Sequence, residues 1–238
     1  MVKFFFSKMS GLAGAYDLRK EEEVKEYLDN LGTEYRFQCY YEKRPDGCHR
    51  LADFLEAFRR DETRARKVFL QNCEENNYGH SCFKYGNYNM MGTAGPCSFD
   101  EAMKFYLKGC DHSYGPSCHN VALLLQSGRL QNKERDFIKA ADYLQRGCDL
   151  GNMPSCGHLS TYFITGKPGI AADMTKAFEL AKQACEMGHM YACANLSIMY
   201  KKGEGTNVDL ELSKKSQDRA KELFDEMTKI EKTLTFEQ

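Results

Sequence analysis

Apolar residues recur along the chain in a helical rhythm that restarts at nearly constant intervals. Counted from each of five cysteines, the positions three, six and seven residues later are mostly apolar or aromatic, as in Leu51, Phe54 and Leu55. A spacing of i, i+3 and i+4 marks one face of an α-helix. The five cysteines are Cys48, Cys82, Cys118, Cys156 and Cys193. They follow one another at intervals of 34, 36, 38 and 37 residues, which identifies a repeat protein.

Each repeat contains two predicted helices, A and B. A glycine ten residues after the cysteine ends helix A in four repeats, because glycine tolerates the left-handed conformation of a helix end; these are Gly92, Gly128, Gly166 and Gly203. Phe58 takes this position in the first repeat and predicts a different connection. An acidic residue then begins helix B; examples are Asp100, Asp136, Asp173 and Asp209. An alanine eight residues before the next cysteine predicts a close crossing of the two helices; these are Ala65, Ala102, Ala140 and Ala177.

The predicted fold is all-α, a right-handed α/α superhelix of about five helix-turn-helix repeats. The repeats span residues 48–81, 82–117, 118–155, 156–192 and 193–228, after an N-terminal helical unit at 17–47 and before a C-terminal tail at 229–238. Residues 1–16 are expected to be flexible. Lys8 interrupts the apolar run of Phe4 to Phe6, so a secretory signal is a poor fit.

Ten of the eleven cysteines fall into close pairs, each bracketing the turn from one helix B to the next helix A. Antiparallel helices joined by a short turn bring such residues within bridging range. We therefore expect five inter-repeat disulfides: Cys39–Cys48, Cys73–Cys82, Cys110–Cys118, Cys148–Cys156 and Cys185–Cys193. The last repeat has Thr228 at the cysteine position, where no further helix A follows.

Other roles for these cysteines fit the spacing less well. Structural zinc sites favour cysteines two to four residues apart, no C-x-x-C redox motif occurs, and we predict no metal site. Reduced core thiols remain an alternative, although they account neither for the pairing nor for Thr228. Cys97 is left over in a loop, either as an incidental thiol or as a reactive or intermolecular one.

Net charge limits the classes of partner. With 33 basic and 34 acidic residues the net charge is −1, which argues against nucleic-acid and anionic-membrane partners. No apolar run is long enough to span a bilayer.

The repeat unit, Ser-Cys-x-x-Leu-Ser-x-x-Tyr/Phe with a following Gly, Asp, Lys-Ala and Ala-Cys-Asp/Glu-x-Gly, resembles the Sel-like repeat, a relative of the tetratricopeptide repeat. Segments such as Gly188-His-Met-Tyr-Ala-Cys-Ala-Asn195 are most similar to a branch of that family that assists cytochrome c oxidase assembly in the mitochondrial intermembrane space. The resemblance implies that location. It also implies complex IV assembly components and the oxidative import machinery as protein partners.

Three functions compete. The first is a monomeric protein-binding scaffold that requires no cofactor and has no catalytic residues. Stacked helix pairs form a concave surface, with Asn87, Asn120 and Asn195 as polar contacts. The second, implied by the resemblance, is a haem-binding thiol-disulfide reductase. Its iron ligands would come from His119, His189, Met174 and Met199, although no C-x-x-C-H motif occurs.

The third is a secreted cysteine-rich repeat protein with hydrolase or β-lactam-binding activity, as in some bacterial relatives. Residues 81–84, Ser-Cys-Phe-Lys, fit the S-x-x-K pattern. However, Ser-Cys recurs at 117–118 and 155–156, and neither Ser-Asp-Asn nor Lys-Thr-Gly is present. The match is therefore interpreted as part of the repeat.

Overall fold

The structure, a computed structural model, describes residues 16–235, and their side chains as far as residue 230. Most of the predicted flexible start at 1–16 lies outside the described residues. Tyr16 is described: its hydroxyl accepts a hydrogen bond of 2.9 Å from the Asn30 side chain, and its ring lies 5.6 Å from that of Tyr27.

The described chain is built almost entirely of helices. Eleven α-helices lie within residues 16–235: α1 (Glu21–Arg36), α2 (Pro45–Ala57), α3 (Glu62–Asn76), α4 (Gly79–Met91), α5 (Phe99–Asp111), α6 (Gly115–Ser127), α7 (Phe137–Asp149), α8 (Met153–Thr165), α9 (Met174–Glu186), α10 (Met190–Lys202) and α11 (Leu210–Thr235). A π-helical turn, Phe37–Tyr41, continues α1. The only β contact in this part of the chain is a single bridge between Lys167 and Ile170.

The helices alternate as the sequence predicts, which confirms the all-α repeat solenoid. Helices α2, α4, α6, α8 and α10 are the A helices, and α3, α5, α7, α9 and α11 are the B helices. Helix α1 with its π-helical turn takes the place of a B helix before the first A helix. Helix α11 runs on through the start of the predicted tail to Thr235.

Local signals in the sequence set most helix ends. Gly92, Gly128 and Gly203 end α4, α6 and α10 in the left-handed conformation, with φ of 74°, 67° and 73°. The carboxylates of Asp136 and Asp173 accept hydrogen bonds from backbone N–H groups at the starts of α7 and α9. These bonds satisfy donors that the first helical turn leaves free.

Helix α5 begins differently from the other B helices. Its N-terminal cap is Ser98, whose hydroxyl accepts a 3.2 Å hydrogen bond from the Glu101 N–H, while Asp100 lies in the first turn. Both arrangements place oxygen or negative charge at the positive end of the helix.

The recurring alanine of the B helices lies in the core. Ala65, Ala102, Ala140 and Ala177 are fully buried. A larger side chain at this place would separate the crossing helices, because protein interiors are close-packed. Large side chains surround the alanines; Phe69, Tyr106, Leu144 and Tyr162 are also fully buried.

Five disulfides join consecutive repeats in the predicted pairs: Cys39–Cys48, Cys73–Cys82, Cys110–Cys118, Cys148–Cys156 and Cys185–Cys193. In four of them, the last turn of a B helix is bonded to the first turn of the next A helix. Cys39 instead lies in the π-helical turn. Cys97 is free and exposed in the loop before α5, and its thiol lies 3.1 Å from the Met90 carbonyl oxygen.

The stack is curved, with the A helices on its inner side. From α4 onward, consecutive A helices contact one another more extensively than consecutive B helices do. The A helices therefore line the concave face. Among residues 16–235, no helix is both long and apolar enough to cross a membrane.

Removing one inter-repeat disulfide is expected to lower the free energy of unfolding. For Cys148→Ala with Cys156→Ala, closure of so short a loop predicts a loss of about 2.5 kcal/mol. Urea denaturation followed by circular dichroism measures this change. Cys97→Ala, which breaks no bond, is the matched control, and equal stability of both variants would contradict a stabilising role for the disulfide.

Candidate functional site

A histidine on one A helix contacts a serine on the next A helix at two of the junctions. Nδ1 of His49 lies 2.9 Å from Oγ of Ser81, and Nδ1 of His119 lies 3.3 Å from Oγ of Ser155. Each histidine directly follows the second cysteine of a disulfide pair, and each serine directly precedes the second cysteine of the next pair. The contact is therefore a feature of the repeat.

The junction between these two lacks the contact. Phe83 occupies the histidine position there, and the buried Oγ of Ser117 has no hydrogen-bond partner among the described side chains and backbone. Gly109 leaves room for this serine, because a Cβ atom at position 109 would lie 2.2 Å from the Ser117 oxygen. An unpaired buried hydroxyl costs stability, so this junction lacks a favourable interaction that its neighbours have.

Near the N-terminal end of the concave face, three rings stack in a row. The His49 and His80 ring centroids are 3.8 Å apart, and His80 stacks on Tyr114 at 4.6 Å. Each ring belongs to a different A helix or its cap. The row therefore links three consecutive A helices.

A second cluster of histidines gathers around the start of α8. The rings of His119 and His158 are 5.6 Å apart. His189 lies over Gly157, where a Cβ atom would come within 2.8 Å of the His189 ring. The Nδ1 atom of His189 accepts the Ala192 N–H, which caps α10. Three imidazoles from three consecutive A helices or their caps thus lie near the start of α8.

Burial keeps these imidazoles neutral at pH 7. It lowers the pKa of His49, His80 and His119 to about 4. Burial also lowers the pKa of His158 and His189. The neighbouring cation Lys84 acts in the same direction on His49, as do His158 and His189 on His119. Neutral imidazoles can accept hydrogen bonds or serve as ligands.

A charged cluster lies beside the first histidine row. Nζ of Lys84 is 3.4 Å from an Asp53 oxygen and also binds Glu56. Burial raises the pKa of Asp53, although Lys84 opposes this shift. Burial alone would lower the pKa of Lys84, but its hydrogen bond to Glu56 and the charge of Asp53 raise the pKa overall. The two carboxylates therefore hold the ammonium group between the first two repeats.

Ser81, His49 and Asp53 are arranged in a line that resembles a catalytic triad. Nε2 of His49 lies 3.4 Å from Asp53, opposite its Ser81 contact. However, Ser81 is fully buried and its oxygen also accepts a 2.7 Å hydrogen bond from Asn72. Lys84, the lysine of the S-x-x-K match, is bound to carboxylates. An enclosed hydroxyl cannot attack a substrate, so we assign the line a structural role.

The predicted haem ligands are distributed between two environments. His119 and His189 belong to the second histidine cluster, as described above. Met199 is only 2% exposed and packs in the core of the last repeats, and Met174 packs against the same core. Within residues 16–235, no group of three or more His, Cys, Asp or Glu side chains is arranged to hold a metal ion.

The outward positions of the A helices form a row along the concave face. We call Asp53, Asn87, Leu123, Thr161 and Ile198 the concave row, since each lies five residues after the second cysteine and opposite the core positions. Leu123 and Ile198 are 38% and 48% exposed. Asn87 accepts hydrogen bonds from Tyr106 and Asn120, so two of the predicted polar contacts are partly used within the fold.

Comparison with known proteins shows sequence similarity over most of the chain. The Sel1 repeat family model matches residues 79–114, 115–152, 156–189 and 191–224. Cytochrome c oxidase assembly factor 7 of Homo sapiens is 44% identical over 230 residues, which cover 94% of this chain and 100% of the relative. The Xenopus tropicalis protein of the same name is 43% identical over 89% of this chain and 94% of the relative.

Solved structures support the fold. A Sel1 repeat protein from Oxalobacter formigenes superposes with a TM-score of 0.69 at 19% identity, covering 84% of this chain and 83% of that one. A protective antigen of uropathogenic Escherichia coli, described as having an SLR fold, gives 0.67 at 18% identity over 84% of this chain and 47% of the antigen. At these identities the likeness concerns the fold alone.

The neutral histidines are expected to make stability depend on pH. The pKa of His119 falls from 6.5 to about 4 on folding, so between these values the unfolded chain binds more protons. Its contribution is complete above pH 6.5 and is lost as the pH falls toward 4. Urea denaturation at several pH values measures this slope.

Replacing His119 removes its share of that slope. For His119→Gln we expect the slope between pH 6.5 and 4 to fall by up to about 1.4 kcal/mol per pH unit. His112→Gln, at an exposed histidine in the loop after α5, is the control and should keep the slope of the parent protein. An unchanged slope in the His119 variant would show that the pKa of this imidazole is the same in the folded and unfolded states.

Proposed function

The chain belongs to the Sel1 repeat family, and on that premise we propose that it assists the assembly of cytochrome c oxidase as a scaffold that holds protein partners. The observation that carries the proposal is the 44% identity that extends over the whole length of the human assembly factor. Identity at this level across all repeats is consistent with a shared surface as well as a shared fold.

The concave row is the proposed partner-binding surface. Its composition changes along the stack, from the charged cluster around Asp53 and Lys84 to the exposed apolar side chains of Leu123 and Ile198. A partner helix or extended segment with a polar end and an apolar end would match this gradient. Interfaces of this kind are stabilised by a few apolar anchors within a polar surround.

We place the protein in the mitochondrial intermembrane space as a monomer. Disulfides persist in oxidising compartments, and five of them join the repeats here. Partners in this proposal are components that assemble cytochrome c oxidase and the machinery that oxidises imported chains. No cofactor is required for the scaffold function.

A charged substitution on the concave row is expected to impair assembly. In cells lacking this protein, Leu123→Glu with Ile198→Glu should leave assembled cytochrome c oxidase several-fold below the level restored by the unchanged protein. The physical reason is that an unpaired carboxylate at an apolar contact must be desolvated. Native gel electrophoresis with an oxidase activity stain measures the result.

The matched control carries one such added carboxylate outside the row. Ile138 is 55% exposed on α7, a B helix, and Ile138→Glu should restore assembly fully. Thermal melting followed by circular dichroism establishes that both proteins fold. Normal assembly with the concave variant would reject this surface as the partner site.

A second candidate function, haem-binding thiol-disulfide reduction, is favoured by one observation. His119 and His189 both lie near the start of α8, the former beside His158 and the latter over Gly157, and burial keeps the three rings neutral. The two histidines could hold haem iron, which would supply electron-transfer chemistry. Met199 fits poorly, because reaching iron would require the core of the last repeats to open.

Haem binding has a spectroscopic test. If His119 and His189 are ligands, the absorption band of haemin should shift when the purified, oxidised protein is added, and His119→Ala with His189→Ala should abolish the shift. His112→Ala is the control and should keep it. A shift of equal size in all three proteins would exclude these two histidines as ligands.

A further inference from the structure

A groove on the convex side of the first repeat has an unusual charge. It lies between the end of α1 with its π-helical turn on one side and α3 on the other, and its volume is about 320 Å³. Leu51, Leu55 and Val68 form its apolar floor, and Arg36, Arg64 and Lys67 lie around it. The volume falls within the range of pockets that hold small ligands or side chains.

Carboxylates of the protein neutralise only one of the three positive charges in the described part of the chain. Asp61 binds Arg64 and is the only carboxylate within salt-bridge distance of any of the three in the described part of the chain. Arg36 donates to the Thr33 hydroxyl. Like charges around one groove repel one another, and an anion between them would relieve that repulsion.

The repeat itself provides the comparison for this groove. Arg64 and Lys67 lie nine and six residues before the first cysteine of their pair, and Arg36 lies three residues before Cys39 on the preceding helix. The corresponding triplets at the next three junctions are Glu101, Lys104 and Leu70; Lys139, Asp142 and Leu107; and Lys176, Glu179 and Gln145. Each of these triplets has no net charge, whereas the first has a charge of +3.

Across the next two junctions, opposite charges pair between consecutive B helices. Lys108 lies 3.8 Å from Glu74, and Arg146 lies 2.9 Å from Asp111. At the first groove the facing charges are instead of one sign. Asp61 balances only one of the three positive charges, and the charge that remains points to an external anion.

One aromatic side chain lines the groove, and two more are exposed on the same π-helical turn. Tyr40 lines it and is 49% exposed. Phe37 and Tyr41 on the same π-helical turn stack at 4.7 Å and are 50% and 77% exposed. Exposed aromatic rings beside arginine are typical of the centres of protein interfaces, and π-helical turns are frequent at functional sites.

We propose that this groove binds an acidic peptide segment of a protein partner, with an apolar side chain on the floor and flanking carboxylates on Arg36, Arg64 and Lys67. The site is separate from the concave row, and its partner class rests on the proposed scaffold function. Charge complementarity rules out residues 1–15 of this chain as occupant, because their charged side chains, Lys3 and Lys8, are cationic. Glu21, Glu22 and Glu23 at the start of α1 disfavour an anionic membrane.

The test uses a synthetic peptide of defined charge. Fluorescein-labelled Gly-Asp-Phe-Glu-Leu-Asp-Gly amide is titrated with the purified, oxidised protein and followed by fluorescence anisotropy. We expect the affinity to fall about tenfold or more in Arg36→Ala with Lys67→Ala, since each lost charge-assisted contact weakens binding substantially. The analogue with Asn and Gln in place of Asp and Glu should bind the parent protein about as weakly as the acidic peptide binds the double variant.

Lys104→Ala is the matched control, because Lys104 occupies the position of Lys67 one repeat later and is 57% exposed. It should leave peptide affinity unchanged. Equal affinity of the parent protein and Arg36→Ala with Lys67→Ala would overturn the proposal. A second result would also overturn it: no peptide binding, together with sedimentation of the parent protein, but not of Arg36→Ala with Lys67→Ala, on phosphatidylcholine vesicles containing phosphatidylglycerol. That result would assign the groove to a lipid surface. Neither outcome depends on oxidase assembly, so failure of the concave-row experiment remains distinguishable.

Discussion

The covalent bond between the last turn of one helix and the first turn of the next is the constraint on which the rest of this structure depends. The bridged Cα atoms are 4.3 to 4.7 Å apart, which requires small residues where the helices approach. Gly109 and Gly147 provide that room opposite Ser117 and Ser155. The Ser155 hydroxyl then lies within reach of His119, so at this junction the disulfide, the close helix approach and the polar contact lie side by side.

Much of the fold was predictable because its determinants are local and recur. The glycines that end the A helices, the buried alanines of the B helices and the paired cysteines each depend on a few neighbouring residues, and each appears in several repeats. The π-helical turn at Phe37–Tyr41 was not predicted, because it occurs once and lies before the first repeat. Ser98 was missed as a cap because Asp100 gives the same signal two residues later.

The candidate sites were less accessible to sequence reasoning because their parts come from different repeats. His49 and His119 share a position relative to their cysteines, and Ser81 and Ser155 share another, yet only the stacking geometry brings the two positions together. Lys84 looked like part of a motif with Ser81, although its carboxylate partners lie on α2. The cationic groove was hidden for a further reason: Arg36 belongs to the unit before the repeats, and its distance from Arg64 and Lys67 depends on how the helices pack.

The short span of each disulfide also determines how the stack responds to a pulling force. Each bond bridges eight or nine residues, so roughly 30 Å of extended chain per junction cannot be drawn out while the bond is intact. The loops from helix A to helix B carry no such bond and can lengthen. Tension applied along the chain would therefore open a repeat internally and leave the junction to its neighbour intact. Such a molecule extends in steps of one repeat. The disulfide-bonded junctions stay together and serve as nuclei from which each repeat can fold again.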